Sequence, residues 1–471
     1  MPSTTEAGAL AFAPTAPTLD AVLAQLERDG DRAGGAVSPD RRRAALTAFQ
    51  RLPAPGTKPG RTWKHDYDKL DLSGFRWTSE RMRVATTPLD ALTTASADEA
   101  GDDRPALATE TAAGIVHAGA TYLEPAAPAA VPNGAIVASL SDGLRLAGRF
   151  ADGSDAARAL ASVQGLVDEL AQADRFAALA TAFQNCGAFV YVPDGVVLDA
   201  PIQLVFAANE AYDDAVFPQI AVVLGAGARA TVIERHLGEA DALVCGVVAA
   251  HLGEGAALDY VAVQQAGENA RLFTTRDAIC GKDATVRWHV AELGATLVRS
   301  VVDAKLSAPG AQAQIDALFF NTGFQHVDLT TTTEHLVGDT TSSTVVRSAA
   351  TDRGQGRFFG NITIRPRAHG SDASLRDDAL LLSRRAHIDS VPALEIAAND
   401  VTAFHGATVG SLDEDALFYA GSRGIARPDA VRMVALAFFE PAIARFPTDA
   451  LRDEVRTLLD RKIDDATGIE A

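Results

Sequence analysis

Hydrophobic and polar positions change rhythm twice along the chain. Residues 18 to 52 place apolar side chains at helical intervals. There Thr18 precedes LDAVLAQLERDG, and Ser38-Pro39-Asp40 supplies an N-cap, a first-turn proline and an acidic first turn for a second helix. Residues 154 to 185 return to Ala and Leu at helical spacing, whereas 80 to 110 are polar and weakly patterned and read as loop. From about residue 187 the period falls to two, in AFVYVPDGVVL, PIQLVFAA and the runs that follow, which predicts strands. Near Leu412 the helical rhythm resumes in LDEDALFYAGSRG, PDAVRMVALAFFEPAIARF and TDALRDEVRTLLDRK, punctuated by Gly424, Pro428 and Pro447. The expected organisation is a helical or mixed region over 1–186, a β core over 187–411 and a helical domain over 412–471.

The strand zone repeats. The segments LGAGARATVIERHLG, LGEGAALDYVAVQQAG, CGKDATVRWHVAELG and SAPGAQAQIDALFFNTG align on turn residues Gly227, Gly255, Asp283 and Gly310, at spacings of 28, 28 and 27. A turn followed by alternating apolar and polar residues, recurring at a fixed period, predicts a solenoid whose coils share one long core. A second interval of 18 separates His369, His387 and His405. The two periods do not fit one coil length, so either coils carry insertions or one interval is a coincidence.

Composition narrows the functions. Sixty-one acids against 42 Lys plus Arg give a net charge of -19, a field that repels nucleic acid and anionic membranes. No apolar run is long enough to span a bilayer, and the N-terminus lacks the basic region of a secretory signal, which sets the expectation of a cytoplasmic protein. Cys186, Cys245 and Cys280 are too few and too scattered for a disulfide framework, and their plain reading is as small buried hydrophobes.

Motifs for common chemistries are missing: there is no phosphate-binding G-x-x-x-x-G-K-[ST], no H-E-x-x-H and no G-x-S-x-G. Gly225 to Ala230 matches G-x-G-x-x-A, but TVIERHL after it alternates like a strand, whereas a dinucleotide site needs a helix there. Imidazoles stacked along a solenoid edge could ligate iron or zinc; polar turn residues are the plainer reading of His369 and His387. His405 stands apart in NDVTAFHGATVG, at the handover from strands to helices, with small neighbours Gly406 and Ala407.

The run from Phe358 to Ile425, with FFGNITIRPRA, LLLSRRAHIDSVPALEIAANDV and HGATVGSLDEDALFYAGSRGI, resembles the C-terminal core of the SufB/SufD family, in its D-type form. YVPDGVVLDAPIQLVF, FQHVDLTTTTEHLVGDTTS and TWKHDYDKL at residue 62 fit the same pattern. The resemblance implies a right-handed parallel β-helix flanked by helical regions, serving as a non-catalytic scaffold of SUF-type iron-sulfur cluster assembly. It implies pairing with a SufB-type paralogue through the β-helix and docking of a SufC-type ABC ATPase through the C-terminal helices; homodimer formation in isolation is left open. It places a transient Fe-S cluster at the interface with the SufB-type partner, none being stably held by this chain alone. It points to His405 as the ligand from this side and to Gly406, Ala407, Thr408 and Val409 as its interface neighbours. Where B-type chains read H-E-A, this chain reads His405-Gly406-Ala407, and Ala403 stands where some D-type chains carry a cysteine.

Two rivals remain. A β-helix carbohydrate-active enzyme would use carboxylates such as Asp372, Asp377 and Asp389, against which stand few aromatics, 6%, and a negative chain facing an acidic polysaccharide. A SufB-like primary scaffold would load a cluster by itself.

Overall fold

A computed structural model of the chain describes residues 36–53, 67, 81–84, 113–124, 131–207, 215–238 and 242–466. The proposed helix after Thr18, and TWKHDYDKL apart from Tyr67, lie outside these residues. Helix α1 (Pro39–Arg51) begins as its sequence predicts, with the Ser38 hydroxyl accepting from the Arg41 amide at 3.4 Å. Four short strands follow, β1 (Arg81–Val84), β2 (Ala113–Ala118), β3 (Thr121–Glu124) and β4 (Ile136–Ser139). Strand β1 corrects the expectation of loop over 80 to 110: its four residues pair in parallel with β3, an edge position that backbone hydrogen bonds can hold without a strong apolar signal. Helices α2 (Leu140–Ala147), α3 (Asp155–Ala173) and α4 (Arg175–Phe183) lead into the solenoid.

The solenoid strands are β5 (Cys186–Val192), β6 (Ile202–Ala207), β7 (Ala215–Val216), β8 (Pro218–Leu224), β9 (Arg229–Leu237), β10 (Leu243–Leu252), β11 (Ala257–Gln264), β12 (Arg271–Cys280) and β13 (Thr285–Glu292). They continue as β14 (Leu297–Leu306), β15 (Gln312–Asn321), β16 (His326–His335), β17 (Thr341–Ala350), β18 (Gln355–Ile364), β19 (Ser371–Leu381), β20 (His387–Ile396) and β21 (Val401–Ser411). Helices α5 (Glu414–Ser422), α6 (Arg427–Ile443) and α7 (Asp449–Asp465) close the chain.

From β8 onward successive strands alternate between two sheets. One runs β1-β3-β2-β6-β9-β11-β13-β15-β17-β19-β21, the other β20-β18-β16-β14-β12-β10-β8-β5-β4. Each coil therefore contributes one strand to each wall, and from β5 onward the pairings between coils are parallel. The protein is mainly β, a parallel β-solenoid with helices toward both ends, as its sequence predicts.

Register explains both intervals seen in the sequence. Leu243 lies beside Arg271, 28 residues on, and Arg271 beside Leu297, 26 on; His326 lies beside Gln355, 29 on, and Gln355 beside His387, 32 on. The coil varies around the 28-residue repeat. The 18-residue histidine interval is a coincidence: His369 occupies a turn, His387 opens β20 in one sheet, and His405 lies within β21 in the other.

The turn residues form their own ladder. Gly227, Gly255, Asp283 and Gly310 all have φ between 54° and 77°, and each donates its amide to the turn of the next coil, Gly227 to Glu254 O at 2.7 Å and Gly310 to Asp339 O at 2.8 Å among them. Glycine adopts this left-handed backbone freely and aspartate tolerates it, which is why these types recur there.

Alternation along each strand sorts side chains between the lumen and the outer faces. Tyr260 and Trp288 pack inside in a tilted pair with ring centres 4.9 Å apart, amid Val232, Leu258, Val286 and Ile315. Outside, α3 and α4 cover one sheet, where Phe176 stacks on Phe273 at 4.1 Å, and α6 and α7 cover the other. Three polar anchors tie that second layer down. Arg235 grips Glu454 with both terminal nitrogens, one at 2.8 Å, Arg445 reaches Asp316 at 2.6 Å, and Lys462 donates to the Leu293 carbonyl at 2.5 Å.

Lys462 is half-buried beside the Phe320 ring, and burial of its amine pulls it down to about 7 although Glu268 pulls the other way. A lowered lysine favours the neutral amine in the native state, so the cost of burying it is absent above the unfolded value of about 10.4, grows as pH falls, and is complete below 7. Lys462→Met should therefore raise stability in urea denaturation by on the order of 2 kcal/mol at pH 7, after the lost carbonyl contact is deducted, and the advantage should shrink toward pH 10.

Candidate functional site

The two ends of the solenoid differ. At the N-terminal end β4 pairs antiparallel with β5, and β2 with β3, so the first coils are capped by strands of the preceding region. At the other end β20 and β21 are each the last strand of their sheet, and among the described residues no strand is stacked on them. One full edge of backbone donors and acceptors is thus left unpaired by the ladder on each wall, a surface that takes up another strand readily.

His405 lies in the middle of this end. It pairs with Leu375 of β19, whose lumenal neighbours Ala373 and Ala379 belong to the interior core, and Val401 and Ala403 continue the same face of β21. The His405 side chain therefore stands on the lumenal face of the last coil, exposed because nothing covers that coil. Ala407 and Val409 share its face, whereas Phe404, Gly406 and Thr408 are on the outer one. Thr408 donates to Asp378, which also pairs with Arg347 at 2.6 Å. Around the mouth Phe404 is 58% exposed, Val409 47% and Ile396 44%, an apolar rim that water meets directly. The structure thus gathers His405, Gly406, Ala407, Thr408 and Val409 on one open strand.

Other sequence candidates are not gathered with them. His369 and His387 are exposed at separate corners, and His387 turns its Nε2 to Asp389 at 2.9 Å. All three cysteines are buried, Cys186 and Cys280 within the lumen and Cys245 under α4, where its thiol donates to the Phe176 carbonyl at 3.1 Å. Burial pushes the Cys280 thiol up to about 12, the setting of an inert structural cysteine. Among the described residues no group of three or more His, Cys, Asp or Glu is placed to hold a metal ion.

The aspartates of the carbohydrate-enzyme reading point in three directions: Asp372 outward from β19, Asp389 outward from β20, and Asp377 into the lumen. They offer no paired acid and base. The Gly225–Ala230 turn leads into β9 rather than a helix, and the cavity of about 380 Å³ beside it is lined by Asp155, Asp194 and Glu254 against Arg158, a poor seat for phosphate.

Asp377, which the sequence offered only within the carbohydrate-enzyme alternative, is the most unusual of the three. It is 0% exposed, and neither carboxylate oxygen has a hydrogen-bond partner. Burial raises its carboxyl to about 7; Ser390 and Arg347 pull down and Asp378 pushes up. The alternation of β19 could have assigned it to the lumen, since Leu375 and Ala379 flank it at intervals of two.

Residues 206–438 match the family model for the SUF system FeS cluster assembly, SufBD core domain, and residues 35–204 match the SufBD protein N-terminal region. The chain belongs to the SufB/SufD family. SufD of Escherichia coli is 31% identical over 233 residues, 49% of this chain and 54% of that protein. SufD of Bacillus subtilis is 27% identical over 293 residues, 61% of this chain and 67% of the relative. SufB of the same bacterium is 26% identical over 279 residues, covering 59% and 60%. The chain thus spans about half to two thirds of the length of these curated relatives. The family is that of SUF-system iron-sulfur cluster assembly proteins, and most of the solenoid falls within the span matched by the core-domain model. Among the described residues no helix is long and apolar enough to cross a membrane.

A buried carboxyl raised in the native state costs nothing below the unfolded value of about 3.9, and its cost builds until pH passes the native value. Asp377→Asn should accordingly be the more stable protein by about 1–3 kcal/mol at pH 8, with a smaller gap at pH 6, read from urea midpoints at both pH values.

Proposed function

We propose that this chain is the D-type scaffold subunit of a SUF-type assembly complex, and that its open solenoid end is the face it presents to a SufB-type partner. The observation that carries the reading is the pair of unpaired terminal strands, β20 and β21, rimmed by Phe404, Val409 and Ile396 and holding His405 at the mouth. Parallel sheets normally have their edges covered, and two exposed edges around an apolar rim fit strand addition by a second chain. The sequence His405-Gly406-Ala407, in place of the B-type H-E-A, favours the D-type assignment.

The cluster under assembly is cargo. One imidazole from this side, with the remaining ligands from the partner, suits a site that must release what it builds, and the lone chain then holds no cluster stably. No catalytic step is assigned to this chain; nucleotide hydrolysis belongs to the ABC-type ATPase. For the docking of that ATPase, α5 offers Phe418, 78% exposed, and Tyr419, and α6 offers the exposed Met433.

Co-expression with a SufB-type chain and a SufC-type ATPase should yield a complex that assembles clusters, followed by absorbance. His405→Ala should lower assembly by at least about 10-fold while the subunits still co-purify. Phe418→Glu with Tyr419→Glu should release the ATPase and leave the SufB-type chain bound. Full assembly by His405→Ala would remove the imidazole from the site; failure of the chains to co-purify would overturn the pairing.

A further inference from the structure

The geometry points to Asp377 as a second metal-ligating group of this chain, binding divalent iron together with His405 at the mouth of the solenoid. The inference rests on the reading of His405 given above and extends it from one ligand to two.

Three observations lead there. First, β19 and β21 run parallel in register, with Leu375 beside His405 and Asp377 beside Ala407. Asp377 and His405 therefore stand on the same lumenal face, in adjacent coils and two residues apart along the strand. Strands about 4.8 Å apart and a rise of about 3.3 Å per residue put their Cβ atoms roughly 8 Å from one another, a gap that an aspartate and an imidazole close around one ion. Second, the residue covering Asp377 in the last coil is Ala407, the smallest side chain that could stand there, so the path from the mouth to the carboxylate is short.

Third, Asp377 lacks what other buried acids have. Glu234, deeper in the lumen, accepts from Arg276 at 2.9 Å, Tyr260 at 3.0 Å and His236 at 2.6 Å. Asp328 is held by Arg357, and Glu454 by Arg235. Glu292 has unbonded oxygens but faces the Arg276 guanidinium. No cation of β19 shares the lumenal face with Asp377: the Ser390 hydroxyl is the group there that favours its charged form, and Arg347 lies on the outer face of the sheet, paired with Asp378. A buried carboxylate with open lone pairs beside an imidazole is a hard oxygen donor next to a borderline nitrogen donor, a combination suited to Fe(II).

The test uses the full chain and cobalt(II), a spectroscopic stand-in for ferrous iron, titrated anaerobically while the visible band is followed. Wild type should bind one equivalent; Asp377→Asn and His405→Ala should each weaken binding at least 10-fold, with far-ultraviolet circular dichroism unchanged. Asp377→Cys should bring a sulfur-to-cobalt charge-transfer band that wild type, whose three cysteines are buried elsewhere, does not show. That band tests whether position 377 touches the metal irrespective of any effect on folding. Wild-type affinity in Asp377→Asn, or a bound metal without the new band in Asp377→Cys, would overturn the proposal. So would failure of the wild-type chain to bind. Assembly by the complex, lost in His405→Ala and kept in Asp377→Asn, would then leave the scaffold reading standing with a single ligand.

Discussion

Parallel stacking in register is the constraint from which the rest of the structure follows. Every coil between the ends has its backbone donors and acceptors satisfied by the coil before and the coil after. A sheet built this way has no lateral edge, only two ends, and whatever the molecule does at an edge must happen there. The N-terminal region closes one end with antiparallel strands, and the chain turns away into helices at the other before anything closes it. Exposure of β20 and β21 is thus a property of where strand-forming sequence stops.

Helices on both outer faces sharpen that result. Sheet walls are covered by α3 and α4 on one side and α6 and α7 on the other, whereas at the open end Phe404, Val409 and Ile396 stay exposed. The charges buried beneath those layers are largely neutralised in place, Arg235 by Glu454 and Asp316 by Arg445, consistent with a role in fixing how the helices sit on the wall. Asp377 breaks the pattern. An ionisable group that is buried, unbonded and costly to the fold is poorly explained by packing, and such departures from local consistency concentrate at functional positions.

The sequence made much of this legible because turn chemistry is local. The left-handed residue that closes each coil must be Gly or a tolerant Asp, so Gly227, Gly255, Asp283 and Gly310 stood out at near-constant spacing. Gly195, Asp339 and Gly370 hold the same place in other coils but escaped notice, since coil length drifts to 32 residues and no fixed period reaches them. The histidine interval misled for the opposite reason: equal spacing in sequence means stacking in space only when it equals a coil. At the site, His405 was found through its motif. Asp377 was noticed as an acid and grouped with Asp372 and Asp389, because a list of residue types carries no record of which face of a strand each one takes. Alternation supplied that record, as Ala373, Leu375 and Ala379 show.

Contacts also link the helical layer to the open end. The Phe438 ring of α6 lies under the Arg347 guanidinium at 5.2 Å; Arg347, on β17, pairs with Asp378 of β19; and Asp378 accepts from Thr408 of β21, the strand that carries His405. The chain of partners crosses three successive coils on the outer face, directly behind the lumenal positions of Asp377 and His405. Contiguity alone is no proof of coupling, but it limits what can happen mechanically. A force that shifts α6 along the wall must either part Arg347 from Asp378, exposing a half-buried ion pair, or carry β19 and β21 with it. The second course changes the spacing of the last two coils, and with it the distance between the carboxylate and the imidazole at the mouth. On the proposed reading, with the ATPase docked on the C-terminal helices and the cargo at the end of the solenoid, the outer-face polar residues of β17, β19 and β21 supply a contiguous connection between the two.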